Sequence, residues 1–527
     1  MSESAILPES PSGPTRPGGR RGAVVAGIVA GTLAVVGLGA FAAFHVLDGG
    51  PAAEQALPAE STLAAVSLDL DPSAGQKIAA FKTLRKFPAL KKELGLDSGD
   101  DLRTLFFDDV LAESDCKGLS YDADIQPWIG DNVAIAAASF EKGNVAPLVA
   151  LAVTDKDKAA RGLDALFECG DLEGDAGYAF QDDFVLVSDS RAHAEKAAHQ
   201  AATRPLSDDA SYRSWADKVG DRGILNFYVA KRAATLLADS LGDLGPLGVA
   251  GAASGPNDAA RKAAADFRGA AGTLRFADGG AELHLVGGLS DKPVDASRSA
   301  GDVVGGLPTD TAAVLGFTPP QDWADTVTSQ LDDLGLFFGG ENGIRGLEDE
   351  LGLQLPDDLH TLLGDGLALS LRGTPPADLT AVGSPEDVPA GLTLAGDPDA
   401  ITGVISRLEQ KTGTTLADAG VTVADGNDRV ALSFDADYAR DLLGSGDLGG
   451  DATFQKVVPE ADKASMLLYV DLDSAWRQAI ADTITDSPEE FVTRQEFLAN
   501  TEALEALGLS SWHDGTDSHV LLKLTTD

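Results

Sequence analysis

The feature that most constrains the fold of this chain is a sequence repeat whose two copies lie about half a chain apart. Residues 94–105 (LGLDSGDDLRTL) and 351–362 (LGLQLPDDLHTL) are identical at eight of twelve positions without a gap. Similar blocks flank them in the same order, among them 129–139 with 363–373. Copies of about 220 residues predict two tandem domains, because solenoid repeats are far shorter.

Each copy has the pattern of hairpins that alternate with helices. Residues 133–153 contain two β-rich runs joined by the turn-like EKGN, and residues 155–167 have apolar side chains at helical spacing. Asp397 and Pro398 are typical of a helix start, a capping residue followed by proline in the first turn. We therefore predict the α+β class, with two internally duplicated domains, each an antiparallel sheet with helices on one face.

The repeated Asp pair allows two interpretations. Asp100 and Asp101 precede a short predicted helix, where carboxylates cap the free backbone N–H groups and complement the helix dipole. The alternative is a paired-carboxylate site for acid/base chemistry or a metal. No His or Cys is close to this pair in the sequence, and His360 of the second copy aligns with Arg103. The structural interpretation is favoured.

Near its start the chain contains a long apolar segment, residues 22–46, without a formal charge except on a protonated His45. A helix of this length spans a hydrocarbon core of about 30 Å. Three arginines precede the segment and acidic sequence follows, so the positive-inside rule predicts a cytoplasmic N-terminus and an extracytoplasmic remainder. The alternative is a signal peptide cleaved near residues 40–42, where the sequence is AFA.

These observations give a complete predicted organisation. It consists of a disordered cytoplasmic tail 1–21, a transmembrane helix 22–46, a linker 47–56, an extracytoplasmic repeat 57–290, a linker 291–306 and a second extracytoplasmic repeat 307–527. The predicted localisation is the cell membrane, with a single pass.

The charge balance excludes one large class of partners. The chain has 83 Asp and Glu against 40 Lys and Arg, a net charge of -43. Nucleic-acid binding requires a basic surface that neutralises phosphates, so no nucleic-acid partner is expected. Anionic lipid headgroups are disfavoured for the same reason.

The only two cysteines are Cys116 and Cys169. Cys116 lies in about 23 residues between Leu105 and Ile129 that have no counterpart in the second copy, and Cys169 aligns with Lys411 there. Because the cysteines accompany the insertion, a disulfide is predicted between them. Two free thiols are the alternative, whereas a zinc site needs more ligands.

The sequence contains fragments of one catalytic motif set but not the context that the chemistry requires. Ser139–Lys142 fits S-x-x-K and 411–413 spells K-T-G, a combination typical of penicillin-binding proteins. However, Ser139 ends a predicted strand instead of starting a helix, and Lys411 follows a predicted helix. No H-E-x-x-H zinc motif or phosphate-binding loop occurs. No catalytic residue, metal or cofactor is predicted, and a non-enzyme is favoured over an enzyme.

A family resemblance completes the sequence analysis. The Arg-flanked apolar segment, the opening that runs from Leu57-Pro58 to Ala64-Ala65-Val66, the hairpin–helix units and the doubled layout resemble an actinobacterial family of membrane-anchored proteins, domain of unknown function 3352. The resemblance implies a membrane anchor and carries over no catalytic residue.

The sequence therefore supports two hypotheses of function. The first is a membrane-anchored cell-envelope protein that binds or scaffolds without catalysis, with the membrane as one partner and an envelope ligand or protein in the groove between the repeats. The alternative is an extracytoplasmic hydrolase that acts on envelope material.

Overall fold

The structure, a computed structural model, describes most of the chain from residue 52 onward. The described residues are 52–69, 74–89, 118–141, 144–169, 176–234, 265–277, 279–288, 293, 298–320, 323–324, 348, 351–444, 446–484 and 493–527. The predicted tail 1–21 and the predicted transmembrane segment 22–46 lie outside them.

Within this part of the chain, sixteen strands are present. They are β1 Thr62–Asp69, β2 Ile129–Glu141, β3 Asn144–Val153, β4 Gly177–Gln181, β5 Phe184–Ser188, β6 Leu225–Ala230, β7 Gly269–Ala277, β8 Gly280–Gly288, β9 Thr311–Phe317, β10 Leu367–Arg372, β11 Ala390–Ala395, β12 Thr422–Asp425, β13 Arg429–Ser433, β14 Met466–Asp471, β15 Leu504–Asp514 and β16 Asp517–Thr526. Each pairs antiparallel with its neighbours.

All of these strands belong to one sheet, in the order β12-β13-β11-β10-β9-β14-β15-β16-β8-β7-β6-β1-β2-β3-β5-β4. The order read inward from either edge is equivalent: β4-β5-β3-β2-β1-β6-β7-β8 in the first half and β12-β13-β11-β10-β9-β14-β15-β16 in the second. The last strands of the two halves, β8 and β16, pair with each other through residues 281–287 and 518–524. We call this pairing the seam.

The prediction of two tandem domains with separate sheets is therefore wrong. A half that ended at β8 or β16 would leave a row of unpaired backbone N–H and C=O groups at an edge. The seam pairs both edges at once, so the two halves share one continuous sheet. The halves therefore meet edge to edge.

Eleven α-helices lie between the described strands. They are α1 Ala74–Leu84, α2 Lys156–Cys169, α3 Arg191–Thr203, α4 Ala210–Val219, α5 Ala300–Val304, α6 Asp357–Leu363, α7 Pro398–Thr412, α8 Ala436–Asp441, α9 Ala452–Val457, α10 Ala475–Thr483 and α11 Arg494–Thr501. Helix α5 falls within the predicted linker 291–306, and its Ala300, Val303 and Val304 are buried in the core of the second half.

The helices pack on both faces of the sheet, not on one as predicted. Val185 of β5 packs with Leu163 of α2, whereas the next residue, Leu186, packs with Ala197 of α3. Successive strand residues point to opposite faces. Each face therefore has its own apolar core, and the predicted fold class is wrong on this point as well.

No helix among the described residues is both long enough and apolar enough to cross a bilayer. Helix α7, with 15 residues, spans about 22 Å at 1.5 Å per residue, less than a hydrocarbon core of about 30 Å. This finding goes against the predicted single-pass protein. The predicted membrane localisation is therefore not retained.

Two local predictions are confirmed. Strands β2 and β3 form the hairpin predicted from the turn composition at 141–144. At α7, the side chain of Asp397 accepts hydrogen bonds from the backbone N–H groups of Asp399 and Ala400, and Pro398 occupies the first turn. In both places a short stretch of sequence determines the local structure.

Candidate functional site

The predicted disulfide is not found. The described residues contain no disulfide pair, and Cys116 lies outside them. Cys169 is the last residue of α2. The bond is therefore not retained as part of a site.

The repeated Asp pair is described only in the second copy, because Asp100 and Asp101 lie outside the described residues. Asp358 is 5% exposed, accepts a 2.7 Å hydrogen bond from the backbone N–H of Gln354 and forms an ion pair with Arg407 of α7. Helix α6 begins at Asp357 and neither carboxylate is its N-cap. Asp358 is therefore not a helix cap but an ion-pair partner that links α6 to α7. Its role is structural, as the sequence analysis favoured.

The seam brings together aromatic and imidazole rings from both halves. Trp512 and His519 stack with centroids 4.8 Å apart, and His519 stacks on His284 at 5.5 Å. The carbonyl of Val219, 3.0 Å from Nδ1 of His284, accepts a hydrogen bond from it, which leaves Nε2 as the acceptor for Nδ1–H of His519 at 3.3 Å. The hydrogen bonds thus fix the tautomer of His284.

Charged groups reinforce the seam beside these rings. Asp517, from the second half, accepts hydrogen bonds from Lys218 at 2.5 Å and Arg268 at 2.7 Å, both from the first half. Lys218 also lies 4.3 Å from the ring centroid of Trp215. Partial burial opposes ionisation of Asp517, but these hydrogen bonds outweigh it and lower its pKa.

The imidazoles at the seam favour the neutral form. Burial lowers the pKa of His284, and burial lowers that of His519 with a further contribution from the neighbouring His284. Among the described residues, no group of three His, Cys, Asp or Glu is arranged to hold a metal ion. The seam cluster therefore joins the two halves.

A row of apolar side chains crosses one face of the sheet, with one residue on each strand. From edge to edge the cross-strand partners are Val423, Leu432, Leu392, Leu369, Leu315, Leu468, Leu509, Leu522, Leu283, Leu274, Leu225, Leu68, Val133, Leu151, Val185 and Phe180. Paired residues of an antiparallel ladder lie on the same face. We call the part of this face on strands β10, β9, β14, β15, β16 and β8 the leucine face.

Four large apolar side chains on the leucine face are exposed to solvent. Leu369 is 51% exposed and its cross-strand partner Leu315 is 40% exposed. Met466 and Leu285, which lie two positions along their strands from the row, are 37% and 39% exposed. Toward the edges the same face is covered, by α1 and α2 in the first half and by α6 and α7 in the second. The exposed part therefore lies in the middle of the sheet.

One pair resembles part of a catalytic triad. Nδ1 of His193 is 2.6 Å from Oδ1 of Asp189, and the ring stacks on Phe140 at 5.0 Å. A hydrolytic triad also needs a nucleophile that hydrogen-bonds to Nε2. Among the described residues, no hydroxyl or thiol makes that bond. The pair therefore orients a side chain at the start of α3 and does not form a triad.

A buried polar cluster in the first half was missed by the sequence analysis. Glu54, 3% exposed, accepts hydrogen bonds from Ser67 of β1 and, at 2.9 Å to both oxygens, from Arg222. Comparison of the copies contains the signal that was overlooked. Glu54 lies three residues before Leu57-Pro58, as Val304 lies three residues before Leu307-Pro308, so a carboxylate of the first copy stands where the second is apolar.

Comparison with known proteins identifies one family. Residues 23–175 match the family described as "Protein of unknown function (DUF3352)". This stretch belongs to the DUF3352 family. The predicted resemblance is confirmed there, and the match carries no information on organism or membrane anchoring. No curated protein and no solved structure matches the chain significantly. The DUF3352 family description assigns no activity.

Proposed function

We propose that this DUF3352 chain is a non-enzymatic binding protein whose leucine face takes a basic, amphipathic segment of a partner protein. The observation that carries the proposal is the exposure of Leu285, Leu315, Leu369 and Met466 on one face. Apolar side chains exposed together mark interaction sites more often than chance exposure does. The leucine face crosses the seam, and it takes the place of the groove expected between two domains.

The dimensions of the leucine face suit a single helix. Strands β10 and β8 are five strand spacings apart, which corresponds to about 24 Å at roughly 4.8 Å per spacing. A helix of about 16 residues has the same length. Its apolar side chains at i, i+3, i+4 and i+7 would lie along the row of leucines.

The charge of the chain favours a basic partner. A net charge of -43 attracts Lys and Arg side chains and repels anionic lipid headgroups or a second copy of this chain. An amphipathic helix with Lys or Arg on its polar face meets both conditions. Its basic side chains are attracted by the acidic chain, and its apolar face buries the exposed leucines. Binding of such a helix requires no catalytic residue in the chain.

The hydrolase alternative finds no specific support among the described residues. The Asp189–His193 pair is the arrangement that comes nearest to hydrolytic machinery, and a nucleophile is not hydrogen-bonded to it. Binding or scaffolding accounts for the exposed leucines, whereas hydrolysis does not.

The proposal is tested with a double variant, Leu369→Thr with Leu315→Thr, because the β-branched side chain of threonine suits a strand. The probe is a fluorescent 16-residue helical peptide of leucine and lysine, titrated by anisotropy at about 0.15 M salt, where long-range attraction is screened. Because each partly exposed leucine contributes about 1 kcal/mol on burial, the double variant should bind about tenfold more weakly or worse.

Ile78→Thr is the matched control. Ile78 is 57% exposed on α1, whose Ala80 and Leu84 face the sheet, so this change removes an exposed isoleucine that is not part of the leucine face itself. It should leave the affinity unchanged. A peptide with glutamate in place of lysine should bind more weakly than the basic one. Equal affinity of the double variant and the unmodified chain would contradict the proposal.

A further inference from the structure

A cleft of about 540 Å³ lies on the face of the sheet opposite the leucine face. Tyr228 of β6 forms part of its wall, and this residue packs in the core cluster of that opposite face. Phe267, just before β7, and Ser211, in the first turn of α4, line it as well. The volume falls within the roughly 300–1,000 Å³ typical of small-molecule sites.

The polar side of the cleft is cationic. Lys231 and Arg232, which follow β6 directly, line it, and both are exposed. Arg232 donates hydrogen bonds to the backbone carbonyls of Ala59 and Thr62, which hold the guanidinium in place. No carboxylate in the described part of the chain forms an ion pair with either cation, although the charges of Asp209 and Glu60 act on Arg232.

Asp209, the acid among the described residues that line the cleft, already has hydrogen-bond partners. Asp209 caps α4 by accepting hydrogen bonds from the backbone N–H groups of Ser211 and Tyr212, and its other oxygen accepts a 3.0 Å bond from Arg204. Its charge is therefore balanced locally. Lys231 and Arg232 thus place two positive charges side by side at the rim, in a chain whose net charge is -43.

The remaining wall is apolar. The rings of Tyr228 and Phe267 line the cleft together with Ala230. Burial raises the pKa of the Tyr228 hydroxyl, so this wall stays uncharged across the physiological range. A cationic rim over an aromatic wall fits a molecule with one charged end and one flat apolar end.

We propose that this cleft binds a small organic anion, a carboxylate, sulfonate or phosphate carried on an apolar body. The anionic group lies against Lys231 and Arg232, and the apolar body lies against Tyr228 and Phe267. This site is separate from the leucine face, so either can fail without the other.

The test titrates the full chain with anilinonaphthalene sulfonate, an aromatic sulfonate whose fluorescence rises on binding. Lys231→Glu reverses a charge at the rim and should weaken binding about tenfold or more, because the anion then faces a carboxylate. Ser211→Trp narrows the cleft from the exposed first turn of α4 and should reduce the number of bound dye molecules by one.

Lys156→Glu is the matched control, since it makes the same charge change at the exposed start of α2, which packs on the other face. Uncharged phenylnaphthylamine has no anionic group, so it should bind Lys231→Glu and Lys156→Glu as it binds the unmodified chain. Circular dichroism verifies folding, and if Ser211→Trp does not fold, Lys231→Glu decides. Unchanged sulfonate affinity in Lys231→Glu, or an equal loss in Lys156→Glu, overturns the proposal.

Discussion

Glu54 shows how a single residue distinguishes two otherwise equivalent halves. Its carboxylate is buried and holds Ser67 and Arg222, whereas the corresponding positions around Val304 are apolar. Burial and the charge of Glu54 together raise the pKa of the adjacent Tyr212 hydroxyl, which therefore stays protonated and accepts a hydrogen bond from Arg222. A buried carboxylate that loses its partners is costly, so the cluster must remain complete.

We expect Glu54→Ala to lower the free energy of unfolding by about 2 kcal/mol. Loss of one partner from a fully buried pair costs roughly 3–5 kcal/mol, and the cost is smaller here because Arg222 is 43% exposed and regains water. Urea denaturation followed by tryptophan fluorescence measures the change. Glu60→Ala, at an exposed position nearby, should shift the urea midpoint far less. Equal effects of the two variants would show that the buried cluster is not stabilising.

At the scale of elements, α7 depends on its first turn. Asp397 caps the helix, whose Ile401, Val404 and Ile405 are buried against the sheet. We expect Asp397→Ala to lower the free energy of unfolding by about 1 kcal/mol, because two backbone N–H groups lose their acceptor. Asp397→Asn keeps an acceptor oxygen and should preserve most of the stability. Urea denaturation measures the free energy of unfolding of both variants. If the cap does not stabilise α7, the value for Asp397→Ala will equal that of the unmodified chain.

The sequence predicts elements better than it predicts their partners. The helix expected at 155–167 is α2, and its capping Asp155 accepts hydrogen bonds from the N–H groups of Asp157 and Lys158. These contacts are local, so composition and spacing reveal them. The pairing of Leu283 with Leu522 joins residues far apart in the chain through backbone hydrogen bonds that any sequence can make. The alternation of apolar and polar residues along a strand therefore predicts which side chains are buried, but not which strand pairs with it.

The same limit explains the errors about the candidate site. The Asp pair was expected to cap a helix, but Asp358 instead binds Arg407, 49 residues away, and no local pattern encodes that contact. The leucine face emerges only when sixteen strands are placed in register. The exposed apolar residues come from strands of both halves, so no single segment of the sequence shows that they share one face.

The whole molecule is held together at the seam, where hydrogen bonds of the β8–β16 ladder combine with His284, His519 and the ion pairs of Asp517. If one imidazole takes up a proton, its charge lies beside the other imidazole and near Lys218. The charges of Glu282, Glu460, Asp514 and Asp517 also act on these rings and oppose the effect, but burial outweighs them. Stability of the joined halves should therefore depend on pH.

We expect the free energy of unfolding to fall as the pH drops below about 6.5, the ordinary pKa of histidine in an unfolded chain. A base whose pKa is lowered by folding binds fewer protons in the folded state, so its contribution to stability is complete above the unfolded pKa and is lost on acidification. Each histidine contributes a slope of up to about 1.4 kcal/mol per pH unit. Urea denaturation from pH 7.5 to 5 should show a flatter profile for His519→Gln than for the unmodified chain. His199→Gln, at an exposed site on α3, is the control. If the seam histidines cause the pH dependence, the free energy of unfolding of His199→Gln should fall with pH as it does in the unmodified chain.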